Sequence, residues 1–438
     1  MSNIDEVDYQ KTGGRNRTSI HRQSSSATQF HMSKLAVDTS VEVFAKMTDL
    51  QCVQHMAKVR WGSCKKVVCP HCSTCSDHYF SKAELRWKCK GCGKRFSVTS
   101  KTVFANRRLP IQKLLSAIHL WASGSAGQPA LELRRMLNIK GYNSAFTLVS
   151  KLREGLLHGF NTGLISGVIE MDAAHASGRR ASLKRGNPLN YSQSGDREER
   201  PVDQITNAAR AKMKYQEKIA AVGAVGAVGA VGAGGVVNPQ YETVFPAARR
   251  MVLTIRRRSG TPGRGALTTR IGIGMDETPQ VALSLAQAYV AIPESILATD
   301  SGKAFSQLGK QFQYHLQVNH SETLSGGNGQ HNNNAESFGA RQDRAEKGVY
   351  LNIEPKYLCD YATESAFRED HRRRAPGATS IRALHCALNI GMSRYWRGYT
   401  HGQHRDFELL HPANRPALPS GPKKGSSPAS VANGRPPR

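Results

Sequence analysis

The chain contains no run of about 18 or more apolar residues, so no segment reads as a membrane-spanning helix. Its N-terminus, MSNIDEVDYQKTGGRNRTS, lacks a hydrophobic signal core, and a cytoplasmic rather than exported protein is expected. Acidic residues are scarce: 33 Asp and Glu stand against 61 Lys and Arg, a formal charge of +28. An excess of that size attracts polyanions, and nucleic acid is the expected partner. A disulfide framework is missing too. The nine cysteines are odd in number, and seven of them lie between Cys52 and Cys92. In a chain without an export signal, that crowding points to metal binding. No Ser or Tyr nucleophile motif is evident, so a covalent protein–DNA intermediate is not expected. Hydrophobic residues make up 39%, which leaves part of the chain as loop or tail.

What is present falls into segments. Residues 1–33 are polar and rich in Ser, Thr, Gln and Arg, the composition of a disordered arm. Val43, Phe44, Met47 and Leu50 give residues 40–60 a short amphipathic helical pattern, and the cysteine cluster follows, making 40–100 the ribbon region. A helical region is expected over 105–160. It begins with LPIQKLLSAIHLWAS, in which Leu114, Leu115, Ile118 and Trp121 share one apolar face. PALELRRMLNIKGYNSAFTLVSKLREGL then fits a helix-turn-helix with its turn near Lys140–Gly141, whose second helix would enter a major groove. From Gly167 the pattern changes to strands: GVIEMD, MVLTIRR, TTRIGIGM, ESILATD and YHLQVNHS, with TPQVALSLAQAYV helical between them. Strands followed by alternating helix and strand predict a mixed α/β layer. Residues 221–235, AVGAVGAVGAVGAGG, cannot build a core and read as a flexible linker within an insertion around 180–245. Residues 412–438, rich in Pro, Gly, Ser and basic residues, read as a disordered tail.

Cys69-Pro-His-Cys72 and Cys89-Lys-Gly-Cys92 are two CxxC knuckles with 16 residues between them. Each knuckle can present two thiolates to one ion, and two knuckles complete a closed tetrahedral Zn2+ site of structural type. The spacer suits a β-hairpin, with Trp87 and Phe96 capping its small core. Cys75 forms a second CxxC pair with Cys72, and His71 is an alternative ligand. Cys52 and Cys64 read as core thiols.

Three acids stand where strand-transfer chemistry would need them. That chemistry uses two divalent ions roughly 3.5–4 Å apart, held by carboxylates at strand ends and on a nearby helix. Asp172 closes the strand Val168–Asp172, Asp300 closes Ile296–Asp300, and Glu336 opens a helix after Asn332-Asn333-Asn334-Ala335. Each alone is an ordinary turn former or first-turn acid. The combination in this order is what carries weight.

With those blocks in view, the chain resembles bacterial insertion-sequence transposases that join an N-terminal zinc ribbon to an RNase H-like DDE domain, the ISXO-like group. The resemblance runs with gaps from about residue 40 to 375, through CPHC, RWKCKGCGKRFSVTSKTVF, IEMDAAHASG, ATDSGKAF, VNHSE, HNNNAESFGARQDRAEKGVY and YATESAFREDHRRR. It implies an α/β fold: an RNase H-like mixed-sheet catalytic domain over 165–375, preceded by the zinc ribbon and the small helix-turn-helix-like region. It implies that Asp172, Asp300 and Glu336 bind two Mg2+ (or Mn2+) ions and catalyse cleavage and strand transfer at element ends. Double-stranded DNA would be the partner, a homo-oligomer on DNA the working form, and the bacterial nucleoid the setting. His320, Asn333 and Asn334 are near-site positions by the same resemblance, and Glu170, two residues before Asp172, shares its strand face. Two positions depart from the pattern: Gly339 and Asp343 stand where a large residue and a basic one are usual. Asp343 would oppose DNA phosphates, which keeps a decayed or purely DNA-binding relative in play, as well as a nuclease of the same fold.

Basic residues flank these acids: Arg179, Arg180, Lys184, Arg185, Arg249, Arg250, Arg256–Arg258 and Arg372–Arg374. As a group they are expected to neutralise phosphates.

Overall fold

In this computed structural model the described residues are 30–160, 163–177, 249–261, 264–275, 277–318, 331–351, 353–396 and 408–411. Residues 1–29 of the arm expected over 1–33, the repeat at 221–235, His320, the basic run Arg179–Arg185 and the tail at 412–438 lie outside them, while residues 30–33 are described and form a turn closed by Ser33 N–H to Phe30 O. The segment 40–60 forms two helices rather than one, Val41–Lys46 (α1) and Asp49–Trp61 (α2). Thr48 is the cause of the break: its hydroxyl accepts from Gln51 N–H while the Gln51 side chain accepts from Thr48 N–H, a capping box that starts a new helix. Phe44 is buried, whereas Val43 beside it is exposed.

The ribbon follows as short strands Val67–Val68 (β1), Cys75–Ser76 (β2), Tyr79–Ser81 (β3), Arg86–Lys88 (β4) and Arg95–Phe96 (β5). β3 and β4 form the hairpin expected in the spacer, and β4 pairs onward with β5. Trp87 sits opposite Phe96 and stacks on it at 5.8 Å, with Trp61 of α2 set edge-on at 5.4 Å from Trp87. The ribbon therefore has no private core. Its aromatics continue into a hydrophobic cluster that runs through α2 and the later helices.

Those helices are Ile111–Ser123 (α3), Ala130–Met136 (α4) and Tyr142–Gly159 (α5). Leu114, Leu115, Ile118 and Trp121 are all buried on α3, as their spacing predicts. α4 and α5 form the helix pair expected from the sequence, but α5 is packed along most of its length. Its exposed residues lie in the first turn, and Ala145, Leu148, Val149 and Leu152 to Leu156 are buried. What covers α5 is a helix that the sequence pattern does not single out, Pro376–Asn389 (α10). A Cβ on Gly155 would lie 2.8 Å from Ala387 Cα, so the glycine is what lets these two helices approach.

The second layer system is a five-stranded sheet of Ile165–Ser177 (β6), Arg249–Arg258 (β7), Ala266–Gly274 (β8), Val290–Asp300 (β9) and Tyr314–Val318 (β10), in spatial order β10-β9-β6-β7-β8. β6, β7 and β8 run antiparallel, and β9 and β10 join in parallel, giving the mixed sheet of an RNase H-like fold. Side chains alternate between two buried faces. Ile169, Met171, Met251, Leu253 and Ile255 pack under Pro279–Tyr289 (α6) and Lys303–Gly309 (α7). Ala176, Val252, Ile271 and Ile273 pack under Asn333–Ala345 (α8) and Leu358–His371 (α9).

One buried ion network ties the sheet's helices to the N-terminal ones. Arg153 of α5 donates to Glu364 of α9 at 2.6 Å, Tyr350 donates to the same carboxylate at 2.8 Å, and Arg368 reaches from Glu364 to the Trp121 carbonyl of α3. With both side chains of the Arg153–Glu364 pair essentially unexposed, loss of one partner would strand a buried charge.

Candidate active site and metal centre

The four cysteines of the two knuckles converge. Their sulfurs all lie within 4.8 Å of one another, with Cys69 to Cys92 at 3.8 Å and Cys72 to Cys89 at 3.5 Å. Four thiolates about 2.3 Å from one zinc ion would stand about 3.8 Å apart, so the spacing fits that ion. The two knuckles repeat the same backbone bonds: Ser73 N–H to Cys69 O and Gly93 N–H to Cys89 O, both residues in the left-handed region. His71 N–H and Gly91 N–H donate to the Cys69 and Cys89 sulfurs. A Cβ at Gly91 would meet the Thr74 hydroxyl at 2.9 Å, so a larger residue there would have to displace the Thr74 side chain. Hydrogen bonds from Thr74 pull the Cys72 thiol down to about 6, toward the thiolate a metal takes. Cys75 lies in β2 and stays outside the cluster, as does His71. Cys52 is a buried core thiol, as expected, and Cys64 packs partly buried against the same cluster.

The acids come from three elements. β6 and β9 run in parallel with Glu170 opposite Ala298, each two residues before the acid of its strand, and the charge of Asp300 bears on Asp172. Asp172 does not close its strand, for β6 continues to Ser177; it lies where pairing with β9 has ended while pairing with β7 goes on. Asp300 ends β9, and its carboxylate accepts from Gly302 N–H at 3.0 Å. Glu336 lies in the first turn of α8, which packs on β6. The Asp172 carboxyl is pushed up to about 6, first by burial and then, against an opposing bond from Ala173 N–H, by the charges of Asp300, Glu336 and Glu277. Glu277, just after β8, is an acid that the sequence pattern alone did not bring forward. Burial and Asp300 raise its pKa as well. Its place after the strand TTRIGIGM is the signal that could have found it.

Among the described residues, the four thiols are the one group of three or more His, Cys, Asp or Glu gathered closely enough to hold a single ion. Two ions about 3.5–4 Å apart, each about 2.1 Å from its ligands, accept outer carboxylates separated by as much as about 8 Å. A hard, all-oxygen donor set under mutual repulsion fits such ions. The buried Thr254 hydroxyl, cross-strand neighbour of Asp172, also has no hydrogen-bond partner and remains an open polar group at the site.

Glu170 has a defined place. It is fully buried, and its carboxylate accepts from Asn334 N–H at 2.8 Å, Asn334 Nδ2 at 2.7 Å, Ala335 N–H at 3.1 Å and Arg258 Nε at 2.8 Å. It thus anchors the N-terminus of the helix that carries Glu336, in the position where a negative charge meets free N–H groups and the helix dipole. Asn334 is part of this anchor, while Asn333 is exposed.

Several arginines expected to meet DNA are instead used internally. Arg250 pairs with Glu408 through two bonds of 2.7 Å, Arg256 donates to Asn334 O at 2.8 Å, and Arg258 serves Glu170 and His331 O. The reason is that β7 is an interior strand, so alternate side chains are covered by α8 and α9. The departures from the family pattern also have local reasons. Asp343 is paired with Lys347 one turn on, which offsets its charge. At Gly339 a Cβ would stand 3.0 Å from Ala174 Cβ and 4.0 Å from the Asp172 carboxylate, so the missing side chain lets α8 close on β6 at the acid.

No helix among the described residues is long and apolar enough to cross a membrane. Family models match two parts of the chain: a transposase zinc-ribbon domain over residues 47–95 and an ISXO2-like transposase domain over residues 239–370. The second covers Asp300 and Glu336, while Asp172 lies before its start, beyond the segment 178–248. No curated protein and no solved structure matches the chain.

Proposed function

We propose that this chain, with its zinc-ribbon and ISXO2-like transposase domain matches, acts as an insertion-sequence transposase that cleaves element ends and joins them to target DNA at Asp172, Asp300 and Glu336. The observation that carries the reading is the convergence of these acids: two on adjacent parallel strands, the third on a helix packed over the first, with the charges of Asp300 and Glu336 both bearing on Asp172. Bound Mg2+ or Mn2+ would supply a lowered pKa for water and charge neutralisation at phosphorus. Asp172, Asp300 and Glu336 would together hold the ions. Glu170 fixes the height of Glu336 above the strand.

In the first reaction a water oxygen bonds to the scissile phosphorus, the P–O3′ bond breaks, and the element is left with a 3′ hydroxyl. In the second that hydroxyl bonds to a target phosphorus, a target P–O3′ bond breaks, and the hydroxyl proton passes through water to the departing O3′. The ribbon would hold one structural Zn2+ at Cys69, Cys72, Cys89 and Cys92. Division into a ribbon region at 40–100, a helical DNA-binding region at 105–160 and a catalytic domain at 165–375 belongs to the same proposal. So do action as a homo-oligomer on double-stranded DNA and a cytoplasmic, nucleoid-associated setting.

The test is a strand-transfer assay with Mg2+ or Mn2+ and the element's own terminal sequence, comparing wild type with Asp300→Ala. Joined products from wild type alone support the proposal. Cutting without joining would make the protein a nuclease, and tight binding by both proteins without cleavage would make it a DNA-binding relic.

A further inference from the structure

Thr254 stands directly opposite Asp172 in the antiparallel ladder of β6 and β7. Residues paired in this way point to the same face of a sheet, with Cβ atoms about 5 Å apart. On that face Thr254 has four sheet neighbours: Asp172 and Ile271 across the strands, and Val252 and Arg256 along its own. Val252 and Ile271 are buried and apolar. Arg256, whose terminal nitrogens serve Asn334 O and Glu369, offers only donors. Of the four side chains, then, Asp172 alone can accept a hydrogen bond. The helix above, α8, adds no polar group at this level, since Phe338 lies against the Arg256 guanidinium and Gly339 faces Ala174 and Asp172. Thr254 is nevertheless 2% exposed, and its hydroxyl has no hydrogen-bond partner. Burying a hydroxyl in that condition is unfavourable, and valine would suit an interior strand without the cost. Packing therefore gives no reason for a threonine here, whereas the neighbouring carboxylate does.

We propose that Thr254 is a positioning residue for the divalent ions, its hydroxyl donating to the Asp172 carboxylate and accepting from a water on the ion that Asp172 holds. The inference rests on the two-ion reading of Asp172, Asp300 and Glu336 and adds to it a residue that is not an acid. Mg2+ gives up its waters reluctantly and keeps several of them beside its carboxylate ligands. A water bound through its oxygen to an ion can only donate, and an ionised carboxylate can only accept. A hydroxyl does both, so it can bridge the two where valine cannot. Hydrogen-bonding partners behind a metal ligand hold it in the orientation the ion needs, and their loss costs about 10–100-fold in metal affinity.

The test is Mn2+ binding by the full-length, zinc-loaded protein, read from loss of the free-ion electron paramagnetic resonance signal. Urea midpoints are measured beside it without Mn2+, and Asp300→Ala marks any binding that does not belong to the acids. Thr254→Val is expected to weaken Mn2+ binding about tenfold or more while its urea midpoint stays at or above that of wild type. Thr254→Ser, which keeps the hydroxyl, is expected to bind Mn2+ as wild type does. Undiminished Mn2+ affinity in Thr254→Val overturns the role of Thr254 and leaves the three acids as ligands. A lower urea midpoint in Thr254→Val, or a loss of affinity that Thr254→Ser shares in full, would make the residue one of packing and equally overturn it. If Asp300→Ala binds Mn2+ as wild type does, the two-ion reading fails and the role of Thr254 falls with it.

Discussion

At the scale of single residues, buried carboxylates divide into those that hold structure and those left short of partners. Glu170 belongs to the first kind, with four donors on one fully buried group. Glu170→Gln keeps the shape but can only accept through one oxygen, and it turns an amide N–H toward Arg258 or the helix start. Breaking a buried charged interaction of this sort costs about 3–5 kcal/mol at full removal, and the isosteric change should cost less. The expected result is a lower denaturant midpoint together with a strand-transfer rate that needs more Mg2+. Rescue by Glu170→Asp at unchanged Mg2+ dependence would speak against a role in placing Glu336. Asp370 offers a separate case. Its carboxylate accepts from Thr269 N–H at 2.9 Å and from the Thr269 hydroxyl at 2.7 Å, yet burial pushes its pKa up to about 7. A carboxyl whose folded pKa is raised stabilises the fold while protonated. That contribution is full below about pH 4 and is lost as pH rises through 7. Asp370→Asn, which can accept from the N–H and donate to the hydroxyl, should remove this slope. Urea midpoints measured from pH 5 to 8 should fall in wild type and stay flatter in the variant, a difference of a few kcal/mol at most given about 1.4 kcal/mol per pKa unit.

At the scale of elements, the contact between α8 and β6 decides where Glu336 stands. Gly339 makes that contact possible, so Gly339→Leu should lift the helix from Ala174 and reduce strand transfer by about tenfold or more, following the sensitivity of such chemistry to small displacements. Gly339→Ala gains up to about 1 kcal/mol of helix propensity against a clash of a few tenths of an ångström, so its stability should stay within about 1 kcal/mol of wild type. Urea denaturation and the joining assay on both variants would check this. The same contact shows what was legible from sequence. Strand alternation and the CxxC spacing are local patterns, and they mark the ribbon, the five strands and the apolar stripe of α3. The covering of α5 by α10, the use of Arg250, Arg256 and Arg258 inside the sheet, and the place of Glu277 depend on which element lands on which. An arginine in an edge loop and one in an interior strand read alike until the strand order is known. Asp172, Asp300 and Glu336 stand out as acids near element ends, but nothing local told Glu170 as a clamp from Glu170 as a surface residue.

At the scale of the whole molecule, the ribbon and the helices share one continuous cluster that includes α10. Loss of the ribbon's metal should therefore be felt well beyond Cys69–Cys92. Structural zinc sites in small domains contribute on the order of 10 kcal/mol to folding. Treatment with a chelator should lower the melting temperature, open the ribbon to protease and weaken duplex binding, with recovery on adding Zn2+. Cys72→Ser should do the same without recovery. A chelator-treated protein that melts as before would show that the aromatic stack of Trp61, Trp87 and Phe96 holds the ribbon unaided.

The pairing of Ser177 with Arg249 has a bearing on how this chain can change over generations. These two residues end the β6–β7 ladder side by side, about 5 Å apart, so whatever joins them begins and ends at one spot. For a segment anchored in that way, doubling the length costs only about 0.6 kcal/mol of closure entropy. Copy-number change in a tract such as AVGAVGAVGAVG leaves both ends of the joining segment at that one spot, so the β6–β7 ladder need not change with it. The spot is also a natural docking port for grafting a foreign domain, and excision of residues 221–235 should leave the melting temperature within a degree or two of the parent.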